Sequence, residues 1–430
     1  MSFFNPDSDA DQLRETTGAS GYFSRMISLS SSVSLLILLL GSTYIAQGQA
    51  TSASAHAYFV DCSASASGDG SEAHPWNSLG GAQAHAFAAG DRISLKRGTV
   101  CKGSFAPQGS GSNGNPIRLT AYGRGSRPRI VAGGNDRQAL LLFNQEYWQI
   151  DSLDVSGGST YGVFVSGDKG TLHHIALKNL IVHDVKGGAM KNKDNGLVVV
   201  GPSSGDVFFD DVLVDSVIAR HTNQWAGILV GGGNFPYAAD APLNTHVTIR
   251  NSSVEDVYGD GIVLFRDSDS VIETSTAWET GMQATQTIGT PNAIWTWTCT
   301  DCVVRDNEAF LTDSPGVDGG AYDIDWDNTR NTVERNYAHD TQGYCIAVFA
   351  AGYVTRQSVV RDNLCIDKYA PRSRSLRLRR HRSQEDWTTI KAETCIKHRR
   401  NAKVRSSRSV QLGVCRICDM ASHLLECLTS

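Results

Sequence analysis

Proline is scarce in this sequence, with 11 residues in 430, and charged residues make up only 19% of the chain. The first shortage excludes a proline-rich disordered protein, and the second excludes a chain too polar to form a core. Glycine is abundant, with 42 residues, and hydrophobic residues account for 40%. The composition therefore predicts a folded protein with many turns.

A basic surface is also lacking in most of the chain. From Lys368 to Ser430 there are 15 basic and 5 acidic residues, whereas the preceding chain has 24 basic and 39 acidic residues. Such an acidic body argues against a nucleic acid partner, and it would repel a polyuronate unless a cation lay between the two. Neutral glycans are compatible with this charge.

The apolar segment near the amino terminus is shorter than the about 20 residues of a membrane-spanning helix. This segment, Val33 to Ala46, lies between Arg25 and the small residues Ala53-Ser54-Ala55. The order is typical of a signal peptide with its cleavage site, which predicts a secreted or periplasmic protein. The first 25 residues are long and partly acidic for the start of a signal peptide, so either translation starts at Met26 or residues 26–46 stay uncleaved as a membrane anchor.

A second CxxC pair, which a zinc site would need, is missing from the body of the chain. The segment Cys299-Thr-Asp-Cys302 therefore predicts a structural role. If the protein is exported, disulfides are expected to persist, and inert thiols are the alternative. The disulfide candidates are Cys62, Cys101, Cys299, Cys302, Cys345 and Cys365.

A short strand pattern recurs along the middle of the chain, in which a small residue precedes an alternating apolar segment. The copies start at Gly162, Gly196, Gly227, Gly261, Ala293, Gly319 and Gly343, with spacings of 34, 31, 34, 32, 26 and 24 residues. A partner strand precedes most copies, and no segment of helical period intervenes, which excludes the crossover helices of a βαβ sheet. The lengths fit a solenoid of stacked coils. Asparagines recur at the strand ends and are expected to stack as a ladder, namely Asn179, Asn251, Asn307, Asn336 and Asn363.

The start of the body contains five short segments in a recognisable order. They are Tyr58-Phe-Val-Asp61, Pro75-Trp-Asn-Ser-Leu79, Gly90-Asp-Arg-Ile-Ser-Leu95, Arg97-Gly98 and Ala121-Tyr-Gly-Arg-Gly125. In these segments and in its repeats, the chain from about Tyr58 to Ile366 resembles the pectin-lyase-like superfamily of right-handed parallel β-helices. The resemblance implies three sheets per coil, a cap near Ser78 to Ala89 and glycan ligands along an outer face.

The predicted fold is all-β, a single right-handed parallel β-helix with an amino-terminal cap. Its predicted parts are an amino-terminal segment (1–55), a capping region with the first coils (56–135), the β-helix repeats (136–367) and a basic tail (368–430). The tail composition changes abruptly after Asp367, so we expect it to lie outside the fold. A shifted reading frame is one explanation, and a polyanion-binding tail is another. We expect a monomer.

The segment from Asp318 to Asp327 carries most of the predicted chemistry. Side chains alternate along a strand, which predicts an inward set of Tyr322, Ile324 and Trp326 and an outward set of Asp323, Asp325 and Asp327. Asp323 and Asp325, about 6.8 Å apart by Cα, suit the acid and the base or nucleophile of glycoside hydrolysis. A solvated surface, or a calcium site that includes Asp327, is the alternative.

The preceding coil contributes Trp295 and Trp297, whose shared outward face is expected to form a platform for a sugar ring. Packing of this pair under a loop is the alternative. Asp318 itself is a further catalytic candidate, and so is Asp260, which we align with Asp318 in the repeat; turn chemistry is the alternative for Asp260.

A lyase would need a base that faces the same groove as the acids, and His339 and Arg266 are the candidates. Arg266 is also a candidate for substrate binding beside the tryptophans. The chain lacks the R-I-K and G-H-G segments of polygalacturonases, so pectin hydrolysis is not implied. We expect an exported glycosidase, or else a polysaccharide lyase, with no cofactor unless calcium is bound. A non-catalytic glycan-binding or structural β-helix is the alternative from another class.

Overall fold

The computed structural model describes residues 55–187, 193–203, 206–232, 242–284, 291–315, 318–349 and 355–367, together with four short strands of the tail. The segment predicted to be a signal peptide or an anchor lies outside the described residues. Where the structure is described, no helix is both long and apolar enough to cross a membrane.

The described strands form three sheets, named I, II and III here. Sheet I contains β1 (Ala57–Val60), β2 (Arg92–Lys96), β4 (Ile117–Tyr122), β7 (Trp148–Asp151), β10 (Lys169–Lys178), β13 (Asp206–Asp215), β16 (Asn244–Arg250), β19 (Asp267–Ser268), β20 (Val271–Glu273), β23 (Val303–Arg305), β26 (Thr332–Glu334), β29 (Val359–Arg361) and β32 (Thr389–Ile390). Sheet II contains β3 (Val100–Lys102), β5 (Arg129–Val131), β8 (Asp154–Ser156), β11 (Ile181–Val185), β14 (Ile218–Thr222), β17 (Ser253–Val257), β21 (Thr276–Thr280), β24 (Glu308–Phe310), β27 (Tyr337–His339), β30 (Leu364–Asp367), β33 (Glu393–Lys397) and β34 (Gly413–Cys415). Sheet III contains β6 (Gln138–Phe143), β9 (Tyr161–Ser166), β12 (Gly196–Val200), β15 (Ala226–Gly231), β18 (Ile262–Phe265), β22 (Ile294–Trp297), β25 (Tyr322–Ile324), β28 (Ile346–Val348) and β31 (Arg377–Leu378).

Each coil of the main body adds a strand to sheets I, II and III in turn, and each strand pairs in parallel with its counterpart one coil later. In sheet III, for example, Ile262 lies opposite Ile294, which lies opposite Tyr322. Each repeat copy found in the sequence starts within three residues of the first residue of a strand of sheet III. The prediction of an all-β parallel β-helix is therefore confirmed.

Inward side chains form continuous columns along the axis of the coils. One column of sheet III consists of Val198, Ile228, Ile262, Ile294, Tyr322 and Ile346, all of them buried in the interior core. Burial of one such side chain contributes about 1.5–3 kcal/mol, so the stacked columns are a major source of stability.

A ladder of asparagines occupies the corner between sheets I and II. Asn336 Oδ1 accepts the backbone N–H of Asn307 at 3.0 Å, and Asn363 Oδ1 accepts that of Asn336 at 2.9 Å. All three side chains are buried. The predicted ladder is confirmed for these residues.

Two asparagines of the predicted ladder lie elsewhere. Asn179 and Asn251 occupy the neighbouring turn position, where φ is 51° and 50°. They donate to the carboxylates of Asp151 and Asp215 one coil earlier. Asparagine tolerates this left-handed conformation, so these residues shape the turn and are not part of the buried ladder.

The amino-terminal end is covered where the cap was predicted. Helix α1 (Leu79–Gln83) buries Leu79 and Ala82 against the first coils. The helix therefore closes the core where no further coil could cover it.

Two disulfides join neighbouring parts of the coil stack. They are Cys62–Cys101 and Cys345–Cys365, with Cα atoms 5.2 and 6.0 Å apart. Cys299 and Cys302 are buried free thiols, so the prediction that they are disulfide candidates is not confirmed. Their thiols lie against the carbonyls of Leu264 and Asp267 in the preceding coil.

Four short strands of the tail extend the sheets. β31, β32 and β33 pair in parallel with β28, β29 and β30, and β34 pairs antiparallel with β33. This differs from the expectation that strands stop at Asp367. The rest of the tail lies outside the described residues.

Candidate functional site

The outer face of sheet III carries a second cluster of side chains, separate from the interior core. Its buried members include Tyr161, Phe164, Val199, Trp225, Leu229, Tyr258, Val263, Phe265 and Trp295. In the next coil the same column continues with a carboxyl group, because Asp323 of β25 lies opposite Trp295 of β22. An acidic group therefore borders an apolar surface.

Asp323 is almost fully enclosed, with 1% of its surface exposed. Its Oδ2 lies 3.2 Å from Asn292 Nδ2 and 3.3 Å from the Tyr344 hydroxyl, and its Oδ1 has no hydrogen-bond partner among the described residues. Burial raises the pKa of Asp323 well above its usual range, and the neighbouring Asp325 and Asp318 raise it further. The neutral, protonated carboxyl group is therefore favoured.

Asp325 and Asp318 lie at the rim of the same site. Strand β25 ends at Ile324, and the chain then turns. Asp325 is therefore half-buried, whereas Asp323, within the strand, is enclosed. Burial raises the pKa of Asp325 to about 7. Asp318 is also half-buried, and it adds to the raised pKa of both other acids. Two partly accessible carboxyl groups thus flank an enclosed one.

Asp260 provides a fourth carboxyl group, which is 1% exposed. It accepts hydrogen bonds from Trp225 Nε1 at 2.5 Å and from the backbone N–H of Asn292 at 3.0 Å. Burial raises its pKa. Asn292 links this group to Asp323, because its side chain donates to Asp323 and accepts from the Tyr344 hydroxyl at 3.0 Å.

Asp260, Asn292 and Tyr344 form one column that precedes the strands of sheet III. The strand register places Gly320 in this column, between Asn292 and Tyr344. A Cβ atom on Gly320 would lie 2.1 Å from the Tyr344 ring, so glycine leaves the space that this ring occupies. The alignment of Asp260 with Asp318 is wrong by two positions, because Asp260 aligns with Gly320.

Lys193 brings an ammonium group to the acids. Its Nζ lies 4.9, 5.5 and 5.7 Å from the ring centroids of Trp295, Trp297 and Trp225, which are distances of cation–π contacts. Its charge counteracts the rise in the pKa of three acids, Asp260, Asp323 and Asp325. The ammonium of Lys193 therefore contacts the tryptophans of the outer cluster and acts electrostatically on three acids of the site.

The predicted sugar platform differs from the observed aromatic pair. Trp295 and Trp297 both leave sheet III on its outer side, with ring centroids 5.9 Å apart, but Trp295 is only 2% exposed. Trp297 is half-buried, and its ring stacks on that of Phe265 with the centroids 4.5 Å apart. The platform prediction is therefore wrong for Trp295, which the outer cluster encloses.

The predicted alternation of the acidic segment holds only to the end of β25. Tyr322 and Ile324 face the interior, but Trp326 packs edge to face against Trp297 with the centroids 6.0 Å apart. The inward prediction for Trp326 is wrong because the chain turns after Ile324. Asp327 is exposed in this turn with φ of 59°. In the described ranges, no group of three or more His, Cys, Asp or Glu side chains is placed to hold a metal ion.

The two predicted bases are placed away from a catalytic geometry. His339 lies on β27 of sheet II, where its ring nitrogens contact Asp340 at 2.8 Å and Glu308 at 3.2 Å. Arg266 is buried and holds its guanidinium over the Phe208 ring at 4.6 Å. The prediction of His339 as a base beside the acids is wrong, because that residue belongs to another sheet.

The sequence reasoning missed four residues of the site, namely Lys193, Trp225, Asn292 and Tyr344. Asn292 and Tyr344 each lie two positions before an inward residue of sheet III, namely Ile294 and Ile346. An alignment of this position in successive coils would have found both residues. Lys193 gave no such signal, because it lies in a turn outside the repeat.

Comparison with known proteins gives the fold a family. A crystal structure of the native GH136 lacto-N-biosidase from Eubacterium ramulus is 22% identical, with a TM-score of 0.64, and the match covers 74% of this chain and 61% of that one. Its selenomethionine derivative is 20% identical, with a TM-score of 0.65 and coverages of 79% and 67%. An alginate lyase from Paenibacillus sp. str. FPU-7 is 15% identical, with a TM-score of 0.49 and coverages of 75% and 97%.

The chain thus spans 61% of the length of the native lacto-N-biosidase. No curated protein matches the chain. The family described as the right handed beta helix region matches residues 138–370, which is more than half of the sequence and contains all four carboxyl groups of the site. The chain belongs to this right-handed β-helix family, and its stacked parallel coils agree with the family match.

Proposed function

We propose that this protein is an exported glycoside hydrolase that acts on a neutral poly- or oligosaccharide. The observation that carries the proposal is Asp325, a half-buried carboxyl group with a pKa of about 7 beside other carboxyl groups. A glycosidase needs an acid that still holds its proton near neutral pH, next to an ionised carboxylate.

The four acids suit different roles because their accessibility differs. Asp325 at the rim is the general acid, and Asp318, also half-buried at the rim, is the base or nucleophile. Asp323 is too enclosed to reach a glycosidic oxygen, so it positions the site through Asn292 and Tyr344. The sequence analysis predicted Asp323 and Asp325 as the catalytic pair. The present assignment retains Asp325 and replaces Asp323 by Asp318.

Hydrolysis fits the surroundings better than elimination. A lyase needs a base beside the substrate to abstract a proton, and the predicted base His339 lies on β27 of sheet II, away from the acids. The acidic body of the chain, with 24 basic and 39 acidic residues before Lys368, also disfavours a uronate substrate. The neighbours with TM-scores of 0.64 and 0.65 are described as lacto-N-biosidases, and we extend hydrolysis, without that substrate, to this chain.

Export is supported by the two disulfides. Bridges such as Cys62–Cys101 and Cys345–Cys365 persist in oxidising compartments and are rare in reducing ones. A signal peptide before the body would deliver the chain there. Mass analysis of the mature amino terminus from the native host would show whether the segment that ends at the expected cleavage site, Ala53-Ser54-Ala55, is removed or retained.

The test is reducing-sugar release by the full chain from a panel of neutral plant, microbial and animal glycans. We expect Asp325→Asn and Asp318→Asn to abolish release. Asp327→Asn is the matched control, because Asp327 is exposed in the same turn and asparagine accepts its left-handed backbone. Unsaturated products would indicate elimination, and binding without any product would favour the non-catalytic alternative.

A further inference from the structure

Lys193 is the one group of this site whose part in the proposed hydrolysis is not yet explained. It belongs to the coil of β12, whereas Trp295 and Trp297 belong to β22, three coils further along sheet III. Coils stack about 4.8 Å apart, so the ammonium reaches over two intervening strands to meet the tryptophans. Such a placement is not required by the repeat itself.

The contacts of the ammonium restrain it strongly. It faces three indole rings at 4.9 to 5.7 Å from their centroids, which are distances of cation–π contacts. The rings also displace water, which strengthens electrostatic interactions with nearby carboxyl groups. Two of these rings adjoin carboxyl groups, because Trp225 donates to Asp260 at 2.5 Å and Trp295 lies opposite Asp323. The other titratable groups beside these acids are Asp318, Asp325 and Tyr344.

We propose that Lys193 is a positioning residue that fixes how protons are shared among these carboxyl groups. A fixed positive charge allows one carboxylate of the cluster to ionise while the others keep their protons. Glycoside hydrolysis requires this mixed state, so the inference rests on the proposed function for its role in turnover. The effect of the charge on proton affinity is independent of any substrate.

The residue acts through Asp325 and does not itself transfer a proton. Without the ammonium, the carboxyl groups of Asp260, Asp323 and Asp325 hold their protons to higher pH. The descending limb of the activity profile, which Asp325 sets, then moves upward.

The test uses the intrinsic tryptophan fluorescence of the full chain as a function of pH, because three tryptophans surround the titrating groups. We expect a transition near pH 7, where Asp325 titrates, and Asp325→Asn should remove it. Lys193→Met should move the midpoint upward by about one pH unit, which is tenfold in proton affinity. Lys193→Arg, which keeps the charge, should restore the original midpoint.

Lys186→Met is the matched control. Lys186 is a neighbouring lysine on the same connection, and it pairs with Asp184 at the surface of sheet II. The proposal is overturned if Lys193→Met keeps the unmodified midpoint, or if Lys193→Arg moves it as far as Lys193→Met does. If Lys193→Met loses its near-ultraviolet circular dichroism, the smaller polar variant Lys193→Gln takes its place under the same criteria. The titration needs no substrate, so absence of glycan turnover would refute the proposed function alone.

Discussion

Replacement of Asp325 by Asn should change how the stability of the protein depends on pH. The pKa of Asp325 is about 7 in the folded protein, whereas an aspartate in an unfolded chain titrates near 3.9. Because the pKa of Asp325 is higher in the folded state, the folded protein binds one more proton than the unfolded chain between about pH 4 and about pH 7. The resulting stability is fully present below about pH 4 and is lost as the pH rises through about 7.

The magnitude follows from the difference of about three pKa units, which corresponds to about 4 kcal/mol for a fully buried group. Asp325 is half-buried, and solvent screening reduces the expected effect to about 2 kcal/mol. The pKa values of Asp260 and Asp323 are also raised. Both residues are present in Asp325→Asn and in the unmodified protein, so their effect on stability cancels in the comparison.

The assay is the thermal midpoint of the full chain at about pH 5 and about pH 7.5. We expect the midpoint to fall more between these values in the unmodified protein and in Asp327→Asn than in Asp325→Asn. An equal fall in all three proteins would refute the reasoning, because Asp325 would then titrate alike in the folded and unfolded chain.

Three further perturbations have defined outcomes. Asn336→Ala removes the acceptor of the buried Asn307 N–H and should destabilise the fold by about 2–4 kcal/mol, seen as a lower thermal midpoint, whereas an unchanged midpoint would contradict the ladder. Gly320→Ala should displace the Tyr344 ring and lower kcat/KM about 100-fold with unchanged far-ultraviolet circular dichroism, and retained activity would show that the column tolerates the methyl group. His339→Ala should leave kcat/KM within about twofold, and a large loss would return His339 to the site.

Much of the fold could be predicted from the sequence because the strands repeat. The inward columns require apolar residues at fixed positions in every coil. The apolar segments that follow Gly227 and Gly261 could therefore be recognised as equivalent strands, and both belong to sheet III. The ladder was predictable for Asn307, Asn336 and Asn363 for the same reason. Asn179 and Asn251 looked equivalent, but they stand one position earlier in the turn.

The candidate site was only partly predictable because it depends on where strands end. Alternation placed Asp323 on the outer face correctly, but it could not show that β25 ends at Ile324. The end of that strand makes Asp325 accessible and leaves Asp323 enclosed. Lys193 was not predictable at all, because a turn outside the repeat brings it to tryptophans of a distant coil.

The central claim is that Asp325 supplies a proton to a glycosidic oxygen. The most direct test is the pH dependence of kcat/KM for a glycan that the full chain hydrolyses, measured from about pH 5 to about pH 9. The account predicts a descending limb near pH 7 in the unmodified protein and in Asp327→Asn, and loss of activity in Asp325→Asn. A flat profile across this range, or a descending limb that persists in an active Asp325→Asn variant, would contradict it.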